Sequence, residues 1–336
     1  MQKRVKMIDV ARQAQVSQTT VSLVLNNIAG IRIAEETRQR VIDTARRLGY
    51  TPGPSLRDLD PAGGKIIGVL INEISSAYPI DIIDGLHLAA RAQGAQLAIF
   101  VTDGTVEREA RALQTLQRLE VSGVIYANTF TTGVYPTEAL RHLPHVHVNC
   151  FRNDRTGIAV IPGERAAGFV AAGHLADIGR KRIATITGDA WHTSAERRLA
   201  GFRRGLKASG LTLDDAYLKR GDWSHRSGRA AMAELLALPQ RPDAVFCQND
   251  MMARGALEVI AEAGLTVPHN IAVLGFDDRE FARDLSLSTL LLPHAAMAER
   301  AMQLLTRAGG IGPDATISMR CKLIVRGTTE TRASAA

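Results

Sequence analysis

The 336-residue sequence contains few cysteines and no long apolar run. Cys150, Cys247 and Cys321 lie far apart, and no C-x-x-C pair occurs, which excludes a disulfide framework and a thiolate zinc site. No run approaches the length of roughly 20 apolar residues that spans a bilayer, and the N-terminus is polar and basic. These absences predict a cytoplasmic protein that is neither exported nor embedded in a membrane.

Motifs that define several enzyme classes are also missing. There is no G-x-G-x-x-G, P-loop or H-E-x-x-H, so a nucleotide-dependent or zinc enzyme lacks its defining segment. His142, His145 and His147 form a cluster in which the last two would share a strand face, but no carboxylate or cysteine lies at metal-binding spacing. Adjacent Asp277 and Asp278 would point apart at a strand end. We therefore predict no catalysis, metal or cofactor.

The most informative segment present is residues 7–26. Apolar Ile8, Val10, Ala11 and Ala14, and then Val21, Val24 and Leu25, give two short helices inward faces at helical spacing, with Val16 in the turn. Ser17 is placed to cap the second helix, which leaves Gln18, Thr19 and Ser22 facing outward. Short polar side chains at a helix start are suited to base edges and phosphates in a major groove.

Positive charge is concentrated in the same part of the chain. The whole sequence has a net charge of +7, and residues 1–57 hold 10 basic and 4 acidic residues, which is +6 of that total. A compact basic segment is typical of phosphate contact, although a solvated basic surface is the alternative. Residues 35–48 predict a third helix, stopped by Gly49, and residues 51–64 are rich in Pro and Gly, which indicates a linker.

From Lys65 onward, apolar strands alternate with helices. Residues 66–71, 96–101, 123–126, 182–187, 244–247 and 271–276 predict strands, with helices between them. This alternation predicts an α/β fold with two doubly wound lobes of parallel sheet, whose strand ends face each other across a ligand cleft. The predicted domains are residues 1–50, a linker over 51–64 and a core over 65–336. Lobe 1 would take about 65–160 plus 291–320, and lobe 2 about 161–290 plus 321–330.

Specific residues resemble the lactose repressor/galactose repressor family of bacterial transcription factors. They are Asp9-Val-Ala-Arg, Val16-Ser17, Thr20-Val21-Ser22, Val24-Leu25-Asn26, Glu36-Thr37-Arg38, Leu48-Gly49-Tyr50 and Pro52, followed by Ile67-Gly68-Val69, Gly179, Arg182-Ile183-Ala184, Arg198-Leu-Ala-Gly-Phe202, Asn249-Asp250, Gly275-Phe-Asp-Asp278 and Leu323-Ile-Val-Arg326. The resemblance spans almost the whole chain. It implies a helix-turn-helix domain, a periplasmic-binding-protein-like core and a homodimer that binds a near-palindromic operator and a small effector.

The resemblance also implies which residues contact DNA. They are Ser17, Gln18, Thr19, Thr20, Ser22, Leu23, Asn26, Tyr50 and Leu59. Leu23 stands where the family usually has Arg, which favours contact with a thymine methyl over guanine. Ala34 replaces the usual serine cap of the third helix, and Gly53-Pro54 stands where helix formers are usual in the linker. Leu59 occupies the place of a minor-groove wedge, with packing on the core as the alternative.

Residues of the effector cleft follow from the same resemblance. They are Ser75, Tyr78, Asn149, His192, Arg198, Trp223, Asn249 and Asp277, with Ser76 and Ser194 beside them. A tryptophan can stack on the apolar face of a sugar while Asp, Asn and Arg bind its hydroxyls. In the alternative, Trp223 is a core aromatic and Asp277 caps a loop. We predict a repressor of carbohydrate genes that responds to a sugar or sugar phosphate. A nucleobase or nucleoside effector, a solute-binding protein without regulatory role and an enzyme are the alternatives.

Overall fold

The computed structural model describes residues 5–25, 33–48, 50, 65–74, 81–307 and 314–330. The chain divides into two compact units, Met1–Gly64 and Lys65–Ala336. No helix in these described ranges is long and apolar enough to cross a membrane. The predicted positions of Asn26, Gly49, Leu59, Ser75, Ser76 and Tyr78, and the linker as a whole, lie outside the described residues.

The first unit contains the predicted helix-turn-helix. Its helices are α1 (Met7–Ala14), α2 (Gln18–Leu25) and α3 (Glu35–Leu48). Their shared core consists of Val10, Ala11, Ala14, Val21, Val24, Val41 and Ala45. The prediction that Ile8 points inward was wrong, because its side chain is 44% exposed. At about 100° per residue, Ile8 lies about 200° around the helix from the buried Val10.

Local hydrogen bonds fix the ends of these helices. The Ser17 hydroxyl accepts a hydrogen bond of 3.0 Å from the Thr20 backbone N–H, which confirms Ser17 as the cap of α2. Gln15 ends α1 in the left-handed region, at φ 56°. Arg40 on α3 donates from Nε to the Ala14 carbonyl at 3.1 Å, which ties the third helix to the end of the first.

The second unit alternates strands and helices. Its strands are β1 (Lys65–Ile71), β2 (Ala95–Val101), β3 (Gly123–Val134), β4 (His145–Arg152), β5 (Ile158–Pro162), β6 (Ile183–Thr187), β7 (Leu218–Arg220), β8 (Ala244–Cys247), β9 (Ala272–Leu274), β10 (Thr289–Leu291), β11 (Ala315–Met319) and β12 (Lys322–Ile324). Its helices are α4 (Asp81–Ala92), α5 (Val106–Arg118), α6 (Glu164–Asp177), α7 (Thr193–Ala208), α8 (His225–Leu236), α9 (Asp250–Glu262), α10 (Glu280–Asp284) and α11 (His294–Leu305), with 3₁₀ turns at Glu138–His142 and Asp215–Tyr217.

Two parallel sheets organise this unit into lobes. The first sheet has the strand order β11-β5-β4-β3-β1-β2, and the second has the order β7-β6-β8-β9. All pairings within the two sheets are parallel, whereas β10 and β12 form a separate antiparallel pair. The first sheet and α11 share one hydrophobic core, and the second sheet is covered on its two faces by two other cores. The chain passes from the first sheet to the second and then back, since β9 belongs to the second sheet and β11 to the first.

Strands β4 and β5 were not predicted, although they form the middle of the first sheet. Nearly every residue of β4 and every residue of β5 is buried. Strand β5 is apolar throughout and has no alternation, so its sequence signal is only a short apolar run. In β4 polar and apolar residues alternate, yet the polar His147 and Asn149 are buried as well. Strand β3 also continues past the predicted Tyr126 to Val134, with an irregularity between Ala127 and Thr132.

Candidate functional site

A cavity lies where the strands of both sheets end. Its volume is about 590 Å³, part of it open to solvent. The residues that line it are Asp81, Thr129, Phe130, Thr131, Asn149, Glu164, Ser194, Arg198, Trp223, Asn249, Asp277, Arg279, Leu292 and His294. Many of them sit at or just beyond the carboxyl ends of parallel strands, the usual position of a ligand site in such sheets.

Strand ends supply the lining from both lobes. In the first lobe, Thr131 and Asn149 lie in the last residues of β3 and β4. In the second lobe, Trp223, Asn249 and Asp277 follow β7, β8 and β9 within three residues of each strand end. These five strand ends are separate stretches of chain that the two sheets bring together at the cavity.

The backbone is strained at three cavity residues. Asn149, Trp223 and Asp277 have φ values of 56°, 69° and 112°. Residues other than glycine rarely adopt a positive φ, and each such residue costs about 1–3 kcal/mol of folding free energy. Strain of this kind persists where the surrounding structure fixes it, and it marks functional sites more often than ordinary loops.

A buried ion pair forms the base of the cavity. Arg198 on α7 and Glu164 at the start of α6 are only 4% and 2% exposed. Arg198 donates from both Nε and Nη2 to the Glu164 carboxylate, and from Nη1 to the Gln248 carbonyl. Asp277 Oδ1 lies 3.9 Å from Arg198 Nη1. Burial raises the pKa of Asp277 well above its ordinary value, although the Arg198 guanidinium opposes this shift.

The two predicted asparagines are held by their own lobes. Asn149 donates from Nδ2 to the Asn128 and Thr129 carbonyls and accepts at Oδ1 from the Thr131 hydroxyl. Asn249 caps α9 by accepting from Met252 N–H, and its Nδ2 donates to the Trp223 carbonyl. These bonds fix the walls of the cavity, so each asparagine positions its neighbours as well as lining the space.

Aromatic side chains from both lobes form one wall. Trp223 is 4% exposed, and its indole lies against Gly188, where an added Cβ would come within 2.0 Å of the ring. Phe130, on β3 of the first lobe, has its ring centroid 5.8 Å from that of Trp223 and 4.6 Å from that of His192. The wall is therefore a contact between the lobes.

The lining also includes polar groups of His294 and Ser194. His294, at the start of α11, has Nδ1 3.5 Å from Asp81 Oδ2, and its hydrogen bond lowers the pKa of Asp81. Among the described residues, neither His294 Nε2 nor the Ser194 hydroxyl has a hydrogen-bond partner, although both are buried. Buried polar atoms without partners are uncommon, and here both belong to residues that line the cavity.

Five of the eight predicted effector residues line this cavity, namely Asn149, Arg198, Trp223, Asn249 and Asp277. His192 is not among the lining residues, but it accepts a hydrogen bond from the indole of Trp223, which is one of them. Sequence reasoning missed Glu164, Phe130, Thr131, Arg279 and His294. Glu164 follows the unpredicted strand β5, and the unpredicted end of β3 carries Phe130 and Thr131, so the missing strands hid these positions.

In the first unit, Ser17, Gln18 and Thr19 are exposed at the start of α2. Thr20, Ser22 and Leu23 are half-buried on the same helix. Tyr50 packs against the helical core and donates its N–H to the Ala45 carbonyl at 2.9 Å.

Comparisons with known proteins assign the family. The model of bacterial regulatory proteins of the lacI family matches residues 6–53, and that of a periplasmic binding protein-like domain matches residues 172–329. The chain is 32% identical over 329 residues to the HTH-type transcriptional repressor CytR of Escherichia coli (strain K12), covering 96% of each chain. The chain belongs to the LacI family. It is 33% identical over 308 residues to the ribose operon repressor of the same organism, covering 89% of this chain and 91% of the relative.

Solved structures of LacI-family regulators have the same fold. The lac repressor dimer bound to operator and the anti-inducer ONPF superposes with a TM-score of 0.67 at 26% identity, covering 98% of this chain and all of that one. A complex of the transcriptional regulator CelR with cellobiose gives a TM-score of 0.65 at 25% identity, covering 97% of this chain. The protein is therefore a LacI-type DNA-binding transcriptional repressor and not an enzyme.

Proposed function

We propose that this repressor binds a near-palindromic operator as a homodimer in the cytoplasm, and that a neutral sugar in the cavity between its lobes changes its operator affinity. The observation that carries the proposal is the cavity itself, which combines an aromatic wall with polar groups that have no excess of positive charge. Membership of the two sheets supports the proposed lobes, residues 65–160 with 291–320 and residues 161–290 with 321–330.

Most of the proposed DNA contacts are residues of α2 and its cap. Gln18 and Thr19 are exposed at its start, where a helix N-terminus enters a major groove. Ser17 is occupied as the cap, so its hydroxyl positions the helix as well as facing DNA. The complete proposed set is Ser17, Gln18, Thr19, Thr20, Ser22, Leu23, Asn26, Tyr50 and Leu59. The dimer in the lac repressor–operator structure supports two-fold symmetric binding.

Charge favours a neutral sugar over a sugar phosphate. The lining includes three carboxyl groups, on Asp81, Glu164 and Asp277, and two guanidinium groups, on Arg198 and Arg279. Arg198 already forms a bidentate pair with Glu164. A phosphate would add negative charge to a site with no excess of positive charge, and phosphate sites in proteins usually supply such an excess.

The aromatic wall has no room for a ring between Phe130 and Trp223. A ring held between two aromatic planes needs them about 7 Å apart, twice the contact distance of about 3.5 Å. Phe130 and Trp223 have centroids only 5.8 Å apart and planes tilted by 31°, so no ring fits between them. Contact with one aromatic side suits the apolar face of a sugar. The Ser194 hydroxyl and His294 Nε2 are suited to bind its hydroxyl groups.

Two relatives have names or bound ligands that belong to the sugar class. One is named a ribose operon repressor, and one solved relative is a complex with cellobiose. By general linkage, such an effector changes operator affinity only through its different affinity for two arrangements of the protein.

The first experiment screens ligands against the full-length protein. Thermal shift and calorimetry are run with neutral pentoses, hexoses and disaccharides, their phosphates, nucleosides and nucleobases. Binding of a neutral sugar is expected. Binding by phosphates alone would contradict the charge argument, and binding by nucleosides alone would establish the alternative effector class. A DNA selection is expected to return a two-fold symmetric motif whose affinity falls steeply with salt.

A variant then tests whether the cavity controls DNA binding. Asp277→Ala should abolish the response to the sugar while leaving effector-free operator affinity intact, because Asp277 belongs to the second unit. Asp284→Ala, an exposed carboxylate nearby, is the matched control. If Asp277→Ala responds like the parent, the cavity is not the effector site. Loss of operator binding without effector would show that Asp277 is structural.

A further inference from the structure

His192 lies at the centre of the aromatic wall. The sequence contains two tryptophans, and both contact this histidine. Trp191 stacks on the imidazole with centroids 3.6 Å apart and an angle of 26°. Trp223 approaches it edge-on, and the distance from Trp223 Nε1 to His192 Nδ1 is 3.1 Å. Every tryptophan of this protein therefore reports on the state of one imidazole.

The hydrogen bond fixes the protonation state of His192. An indole N–H can only donate, so His192 Nδ1 must offer a lone pair and the ring proton must sit on Nε2. The carboxylate of Asp189 lies 3.8 Å from the same Nδ1 and attracts a proton to it. Trp223 and Asp189 therefore favour opposite states of one nitrogen atom.

A residue of the other lobe also contacts the His192 imidazole. Phe130 comes from β3 of the first sheet, and its ring centroid is 4.6 Å from that of His192 and 5.8 Å from that of Trp223. Phe130 packs against the hydrophobic core of the second sheet, although β3 belongs to the first. Its place in that core depends on where the His192 and Trp223 rings stand.

We infer that His192 is a positioning residue for the cavity: its neutral ring holds the Trp223 indole in place for Phe130, and a proton on Nδ1 releases both. The released Nδ1–H then turns to Asp189, the indole loses its acceptor, and the contact between the lobes at Phe130 loosens. This rests on the proposed function only in taking the cavity as the effector site.

The direction of the pH effect follows from burial. Burial lowers the pKa of His192, and the Asp189 carboxylate partly opposes that shift. Another charged group near the wall is Arg198, whose guanidinium carbon lies 5.6 Å from the Trp223 ring and discourages a second positive charge. The arrangement in which Trp223 donates to His192 binds fewer protons than the released arrangement. It therefore persists at neutral pH and is lost as the pH falls through the pKa of His192.

Indole NMR signals test the hydrogen bond without any effector. The full-length protein labelled with ¹⁵N-tryptophan should give two indole N–H signals, and Trp191→Phe assigns the one from Trp223. We expect the Trp223 signal to lie downfield at neutral pH and to lose that displacement in a single titration below about pH 6.5. In His192→Asn the signal should stay downfield and not titrate, since Asn Oδ1 replaces Nδ1 as an acceptor that does not gain a proton. In His192→Phe the displacement should be absent at every pH.

Quenching by acrylamide tests the loosening of the wall. In Trp191→Phe the fluorescence comes from Trp223 alone, which is 4% exposed. Its quenching constant should rise as the pH falls, and Asp189→Asn should move the midpoint to lower pH because the competing carboxylate is gone. Far-UV circular dichroism over the same pH range separates this from unfolding.

The inference would be overturned if neither the Trp223 signal nor its quenching constant changed with pH in Trp191→Phe. This test stands even if His192→Asn fails to fold. A His192→Asn protein that titrates like the parent would also overturn the inference. Neither measurement uses an effector. Failure of sugars to bind would therefore refute the proposed function and leave this result standing.

Discussion

Removal of the Arg198 guanidinium should cost much more stability than neutralising its partner. Arg198 and Glu164 are both almost fully buried, with Nη2 and Oε1 3.2 Å apart. At that separation Coulomb's law gives about 5 kcal/mol for an effective dielectric constant of about 20. Arg198→Met leaves the Glu164 carboxylate buried without its cation, and breaking a buried pair in this way costs about 3–5 kcal/mol.

Glu164→Gln should lower the free energy of unfolding by less, because a second carboxylate lies close to Arg198. Asp277 lies 3.9 Å from Arg198, and the negative charge of Glu164 is one of the causes that raise its pKa. Without that charge the pKa of Asp277 falls and its carboxylate takes over part of the pairing. The remaining cost is the imperfect hydrogen bonding of the amide, about 1–3 kcal/mol.

Urea unfolding of the two single variants and of the double variant measures these differences. The double variant should cost less than the sum of the two, with a coupling of about 0.5–3 kcal/mol. Glu262→Gln is the matched control, because its pair with Arg229 is largely exposed and should contribute little to stability. Strictly additive costs, or a Glu164→Gln variant as unstable as Arg198→Met, would refute the argument.

Three further predictions concern other parts of the molecule. Gly168→Ala should lower the melting temperature, because its Cβ would lie 2.1 Å from the Arg198 carbonyl oxygen. In the same helix, the Cβ of Gly173→Ala would meet nothing within 4 Å, so this variant should stabilise the protein by about 0.5–1 kcal/mol. The opposite order of melting temperatures would contradict the packing of α6 on α7. Burial lowers the pKa of His147 to about 4. Since the pKa of histidine in the unfolded chain is about 6.5, the free energy of unfolding should fall as the pH drops from about 6.5 to about 4. His147→Phe should remove this pH dependence, whereas a change of an exposed histidine, His142→Gln, should retain it. Leu23→Arg should shift the preferred base at one position per half-site by about 1–3 kcal/mol in a DNA selection, and an unchanged motif would show that Leu23 only packs.

Short-range patterns were enough to predict much of the fold. Apolar spacing and the Ser17 cap predicted the helix-turn-helix, since both act within a few residues of one helix. Alternating runs predicted half of the core strands and most of the core helices, and α3 matched its predicted bounds of Glu35 and Leu48. Periodicity decides which face of an element is buried only when one face stays polar, and β5 is apolar throughout.

The cavity was only partly foreseeable. Trp223, Arg198 and Asp277 came from resemblance to a family and do line it. Nothing in the sequence placed Phe130 against His192 or Glu164 beside Arg198, because these contacts join residues 62 and 34 positions apart, the first between the two lobes and the second between α6 and α7.

The sequence by itself thus determined the helix-turn-helix, the alternation of strands and helices and the concentration of positive charge near the N-terminus, all of which depend on neighbours along the chain. The tertiary structure alone decided which carboxylate pairs with Arg198, which atom receives the Trp223 indole N–H and which polar groups remain free in the cavity. Those outcomes depend on distances of 3 to 4 Å between segments that sheet topology brings together, and local sequence carries no signal of such distances.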